Sequence, residues 1–111
     1  MPKVEKCGPF HVIDTYYKHG ESDLTTYATK KELIKAANTW FNNMTDRIIS
    51  LDNEVDLVLN ELSDMFNQNE ENIDIDNLVL NMIKIGTIVR ENQLGWGWTY
   101  VIEGGREIIQ K

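Results

Sequence analysis

Cysteine, histidine and proline are sparse in this chain of 111 residues, and neither glycine nor proline occurs between Gly20 and Gly86. The single cysteine, Cys7, cannot close an internal disulfide and forms no CxxC pair, which suits a reducing compartment. The two histidines, His11 and His19, lie near Cys7 and Asp14 but do not supply three or four ligands on fixed geometry, as zinc requires. Ser22, Ser50 and Ser63 fall in a turn and at polar helix positions, without the glycines of a nucleophile elbow. Asn72, Asp74 and Asp76 begin a calcium-loop spacing, yet Asn77 and Ile83 stand where that loop needs Gly and Glu. Gly95, Gly97 and the Gly104-Gly105 pair match no dinucleotide or phosphate loop. The expectation is a non-enzyme with no catalytic residues, cofactor or metal. No apolar run nears the ~20 residues that span a bilayer. The opening MPKVEKCGPF lacks the apolar core of a signal peptide, so a cytoplasmic protein of a bacterial host cell is expected.

What is present supports a folded domain. Apolar residues make up 41% and charged residues 26%, ordinary values for a globular chain. A chain this long buries roughly two-thirds of its unfolded surface in one core, so a single domain over residues 1–111 is expected. PFHVIDTYYK (9–18) and LTTYA (24–28) flank the turn cluster His19–Asp23 and read as a β-hairpin. Thr29 and Glu32 form a capping box that opens a helix with Leu33, Ala37, Trp40, Phe41, Met44 and Ile48 on one face. Leu51, Val55, Val58, Leu59, Leu62, Met65 and Phe66 form a second stripe, within roughly 120° at 100° per residue.

Neither Gly nor Pro separates these two stripes. One helix over 30–67 would measure ~57 Å, and the capping residues Thr45, Asp46, Ser50, Asp52 and Asn53 favour a break instead. After the polar loop 67–77, Asp74 or Asp76 caps a third helix that reads as apolar nearly all round, buried, and ended by Gly86. Gly104-Gly105 reads as a two-residue turn that places Glu103 against Arg106, Val101 against Ile108 and Tyr100 against Ile109. The fold class expected is therefore α+β in the order ββαααββ, with an N-terminal β-hairpin, two or three central helices and a C-terminal β-hairpin.

LGWGWTYVI (94–102) sets Trp96, Trp98, Tyr100 and Ile102 on one face of a strand. The plainest role for that face is the sheet side of the core. Stacking on a ligand or contact with a partner are the alternatives. Gly95 and Gly97 leave the other face bare, open to the close approach of another backbone.

Charge carries the strongest hint of function. The net charge is −7, but residues 1–47 carry seven basic and six acidic residues, and residues 84–111 carry four and three. Residues 48–83 hold nine acids and no Lys or Arg, so the whole excess lies in one block. Glu54, Asp56, Glu61, Asp64, Glu70, Glu71, Asp74 and Asp76 read as a continuous anionic ridge, with Leu57 as an apolar anchor. Such a field repels nucleic acid and anionic membrane and speeds association with basic proteins. Few Ala and many Asn and Ile resemble the usage of AT-rich bacteria and their phages. In class alone, the chain is similar to phage anti-restriction, anti-CRISPR and glycosylase-inhibitor proteins and to nuclease immunity proteins. That similarity implies a DNA mimic that blocks the basic nucleic-acid surface of a host enzyme. Two other readings stand beside it. One is a winged-helix-like DNA binder with 76–85 as recognition helix and Glu103–Arg106 as wing tip. The other is a homodimeric assembly protein.

Overall fold

β-branched and aromatic residues dominate the N-terminal segment, and they form strand β1 (Pro2–Tyr16), paired antiparallel with β2 (Ser22–Tyr27). The computed structural model describes the backbone of residues 2–48 and 53–110, and the side chains of residues 7–48 and 54–103. Gly20 takes a left-handed φ of 64° in the connecting turn, and its N–H donates to the Tyr16 carbonyl at 3.2 Å. Thr29 then stops the chain from extending further. Its Oγ1 accepts from the Glu32 N–H at 3.2 Å, while Glu32 Oε2 reaches back to the Ala28 N–H at 2.9 Å.

Helix α1 (Lys30–Ile48) follows and buries Leu33, Ala37, Phe41, Met44 and Ile48, the face that the three- and four-residue steps predict. Helix α2 (Asn53–Phe66) is a separate element, burying Val55, Leu59, Leu62 and Met65. Leu51, expected on the same stripe, lies outside the described residues. A one-turn 3₁₀ helix, Glu70–Asn72, leads to Asp74, whose Oδ1 accepts from the Asp76 N–H at 3.0 Å and caps α3 (Ile75–Glu91). Among the described residues, no helix is long and apolar enough to cross a membrane.

Helix α3 differs from expectation in two ways. It continues five residues past Gly86, and it is not buried all round, because Leu80 and Lys84 face solvent. A glycine inside a helix costs about 1 kcal/mol relative to alanine. Here it is required by contact: a Cβ on Gly86 would sit 2.5 Å from the Trp98 carbonyl oxygen, and one on Gly97 would sit 2.5 Å from the Gly86 Cα. Helix and strand thus cross backbone to backbone. The bareness of Gly97 is filled by α3.

The C-terminal segment is one strand, β3 (Trp96–Gln110), rather than a hairpin. Its partner along the whole length is β1, which starts at Pro2 instead of residue 9. Glu103 opposes Phe10, Arg106 opposes Lys6, Val101 opposes Val12 and Tyr100 opposes Ile13, so none of the expected pairs across Gly104-Gly105 forms. A Gly-Gly pair suggests a turn because positive φ is cheap there, but a long antiparallel partner satisfies the ladder without one. No wing tip remains at Glu103–Arg106. The sheet order is β2-β1-β3.

Two register breaks shape this ladder. Between Cys7 and Phe10, the Gly8–Pro9 pair faces the single residue Gly104, at a place where proline's missing N–H costs no ladder bond. Between Ile13 and Asp14, Thr99 on β3 has no partner of its own, since Ile13 opposes Tyr100 and Asp14 opposes Trp98. An extra residue reverses which side chains face inward. Trp98 is therefore buried, whereas Tyr100 and Ile102 are exposed and Val101 packs on the core. The aromatic face read from LGWGWTYVI is split in two: Trp98 is core, Trp96 is half-buried, and the rest looks outward.

The α+β class holds, with the hairpin and three helices in the expected succession before the closing β structure. Gly86→Ala tests the helix–strand crossing. Helix propensity alone gains about 1 kcal/mol for alanine, but overpacking against the Trp98 backbone costs about 1–3 kcal/mol. Urea denaturation is expected to show a net loss of stability; a more stable variant would mean that the two backbones are not in contact.

Candidate functional site

Periodicity sorts the acidic block into parts that the linear sequence merges. On α2, Glu54, Leu57, Glu61 and Asp64 follow at steps of three and four and share an arc of roughly 80°. Asp56 points well away from that arc. All five side chains are exposed, Leu57 to 71%. Helix α2 spans roughly 21 Å, and Glu70 and Glu71 continue the acidic line beyond its C-terminal end, also exposed. Asp74 and Asp76 lie at the start of α3 and are exposed too.

Several of these acids already have work inside the fold. Glu61 Oε1 accepts from Asn77 Nδ2 at 3.2 Å, and the buried Asn81 donates in turn to Asn77 Oδ1 at 3.1 Å. This chain of amides ties α2 to α3. Asp74 is the cap of α3. Lys30 of α1 reaches into the same end, its Nζ donating to the Glu71 carbonyl at 3.4 Å. The acidic line is thus modulated by a cation from the N-terminal third. Among the described residues, Glu54, Asp56, Asp64 and Glu70 make no ion pair or hydrogen bond with another side chain.

Beside the α2 stripe runs a groove of about 490 Å³ between α2 and α3. Leu57 and Val58 form its α2 wall, and Leu80, Ile83 and Ile88 form its α3 wall. Glu54 and Lys84 stand at its charged margins. Only Leu57 of these apolar residues was singled out by sequence. The missed signal was Leu80, which falls between the buried positions Leu78 and Met82 and so cannot share their face.

A second polar feature lies where α3 meets the sheet. Phe10, Val12 and Asp14 alternate along β1 and share the core-facing side. Asp14 Oδ1 is buried without a hydrogen-bond partner. Arg90 of α3 is close enough to act on it electrostatically. That guanidinium is itself committed to the Gly97 and Trp98 carbonyls at 2.9 and 3.2 Å. His11 alternates to the outer side and hydrogen-bonds Thr26 Oγ1 at 2.9 Å. The two residues therefore do not converge on one site.

Comparison of the chain with protein-family models, curated proteins and solved structures finds no match.

Burial raises the Asp14 carboxyl from 3.8 to about 6, opposed by Arg90 and reinforced by Asp23. A carboxyl whose pKa is higher folded than unfolded resists ionisation in the fold. Its penalty is absent below pH 3.8, grows as pH rises towards about 6, and is complete at neutral pH. Asp14→Asn keeps the shape and removes the charge. Thermal melts at pH 7.5 are expected to show a gain of about 1 kcal/mol, allowing for solvent screening of a half-buried group, and melts near pH 3.5 no gain.

Proposed function

We propose that this chain is a non-catalytic binding protein that docks its α2 face on a positively charged protein surface, of the kind with which enzymes hold DNA or RNA, and so blocks it. The observation that carries the proposal is the co-location of Glu54, Glu61 and Asp64 with exposed Leu57 on one stripe of α2. Carboxylates ordered along a rigid helix present a repeating negative charge, which speeds encounter with basic surfaces. An apolar residue inside that stripe adds a contact that excludes water, as productive interfaces require. Glu70 and Glu71 extend the field, while Asp74, Asp76 and Asp56 contribute to it from outside the stripe.

Intramolecular needs account for Asp74, which caps α3, and in part for Glu61, which accepts from Asn77, but not for Glu54 and Asp64. Helix α2 packs on α3 and α1 rather than on the sheet, so only one of its faces has to be apolar. Its last turn carries no basic residue to complement the carbonyl end of the helix. Asp64 near that end is mildly unfavourable for the helix itself.

Glu61→Lys/Asp64→Lys separates the two roles. Stability is expected to stay within about 1 kcal/mol, because lysines near the helix C-terminus offset the lost Asn77 bond. Binding to basic nucleic-acid enzymes, measured by titration calorimetry, is expected to fall at least tenfold. In the unmodified chain the same affinity should drop steeply from 50 to 300 mM salt, as screening of exposed charges demands. Affinity indifferent to both changes would rule out charge-led docking.

A further inference from the structure

We propose that the α2–α3 groove is the seat for an amphipathic helix of the partner, apolar along one face and flanked by Lys or Arg. This rests on the binding role argued above and names the partner element that the site takes. Four observations converge on it. The groove lies between two helices, the geometry in which the side-chain ridge of a third helix finds its slot. Its α3 wall extends from Leu80 to Ile88, roughly 12 Å along the axis, which matches two to three turns of an incoming helix.

Exposure decides between a helix and a small molecule. The volume of about 490 Å³ falls in the range of small-ligand sites. Such sites enclose most of their ligand, however, whereas here Leu57 is 71% and Leu80 52% exposed. Two large side chains standing this open to water are walls awaiting a macromolecular surface. Charge then selects the partner. Of the lining residues Glu54 and Lys84 are charged and offset each other, while Glu61 and Asp64 continue the same exposed α2 stripe beyond the groove. The balance is negative, so basic flanks on the incoming helix are attracted and acidic flanks are repelled. A second copy of this chain is disfavoured by the same balance, since it would bring the identical acidic rim against itself.

The outer face of the sheet offers the contrasting surface. Leu24, Ile13 and Tyr100 form one cross-strand row there, next to Thr26, His11 and Ile102. It is a surface without a charged rim among these residues, and it serves as the internal control.

The experiment uses two synthetic sixteen-residue helical peptides with the same leucine stripe, one with lysine flanks and one with glutamate flanks. Fluorescence anisotropy reads their binding to the full chain, to Leu57→Gln/Leu80→Gln and to Leu24→Gln. All three substituted positions are exposed, and glutamine is a good helix former, so the first variant is expected to fold. The lysine peptide is expected to bind the full chain, at least tenfold more weakly to Leu57→Gln/Leu80→Gln, and unchanged to Leu24→Gln. The glutamate peptide should bind at least tenfold more weakly than the lysine peptide. Loss of lysine-peptide binding with Leu24→Gln alone would move the site to the sheet and overturn the proposal. So would absence of binding by both peptides, even if basic enzymes still associate through charge. Equal binding of the two peptides, abolished in the leucine variant, would keep the helix seat and remove the basic partner. Self-association of the full chain that Leu57→Gln/Leu80→Gln abolishes would show a second copy in the groove instead.

Discussion

The contact between Gly86 and Gly97 governs how the helical layer meets the sheet. Two backbones with no intervening Cβ bring α3 against β3 more closely than any pair of side chains would permit. That proximity lets Arg90 reach the Gly97 and Trp98 carbonyls, and it leaves the interior to be filled by Trp98 and by the stripe Leu78, Met82, Ile85 and Val89. Helix α1 is fixed to the same segment, with Trp40 Nε1 donating to the Trp96 carbonyl at 3.0 Å and Arg47 to the Leu94 carbonyl at 3.4 Å. Backbone carbonyls near the start of β3 are thus held from two helices at once. The helical layer follows from the placement of this one strand end.

What the sequence revealed and what it concealed divide along the range of the interactions. Helical faces were legible because a stripe is a local pattern, repeated every three or four residues and enforced by burial. The caps at Thr29 and Asp74 were legible for the same reason. Gly86 and the Gly104-Gly105 pair are ambiguous in the linear chain because glycine marks either a special φ or a close approach, and only distant residues decide which. Gly86 is in a helix because of Gly97, eleven residues on. Gly104 and Gly105 are in a strand because of residues near position 8, at the other end of the chain. The split of the aromatic face has a similar origin: a single unpaired residue, Thr99, turns Tyr100 and Ile102 outward. Alternation in a strand specifies faces only where the register is unbroken.

The candidate site shows the same partition. The charge asymmetry was plain in the linear chain, and exposure of all nine singled-out residues agrees with it. Their grouping was not plain, because it depends on where α3 lies relative to α2. Glu61 is drawn towards Asn77, Asp74 is engaged at a cap, and Asp56 faces away. Conversely, Leu80 gains significance only once α3 places it across the groove from Leu57. A ridge in one dimension becomes a charged rim beside an apolar channel in three.

Stability considerations bear on why such a rim exists. A helix that rests on two other helices and not on the sheet leaves most of its circumference free of packing demands, and any mixture of polar residues would serve solubility. Mixed charges would serve it better, since opposite signs at four-residue spacing each add a few tenths of a kcal/mol. On α2 the pairs Asp56–Asn60, Glu61–Met65 and Asn60–Asp64 make no use of that opportunity, and residues 53–66 contain no Lys or Arg at all. Departures from local preference that the fold does not compensate concentrate where a surface is committed to a partner. The carboxylates of Glu54 and Asp64 and the uncovered leucines are two such departures on the same helix pair, and the basic amphipathic partner proposed above would resolve both.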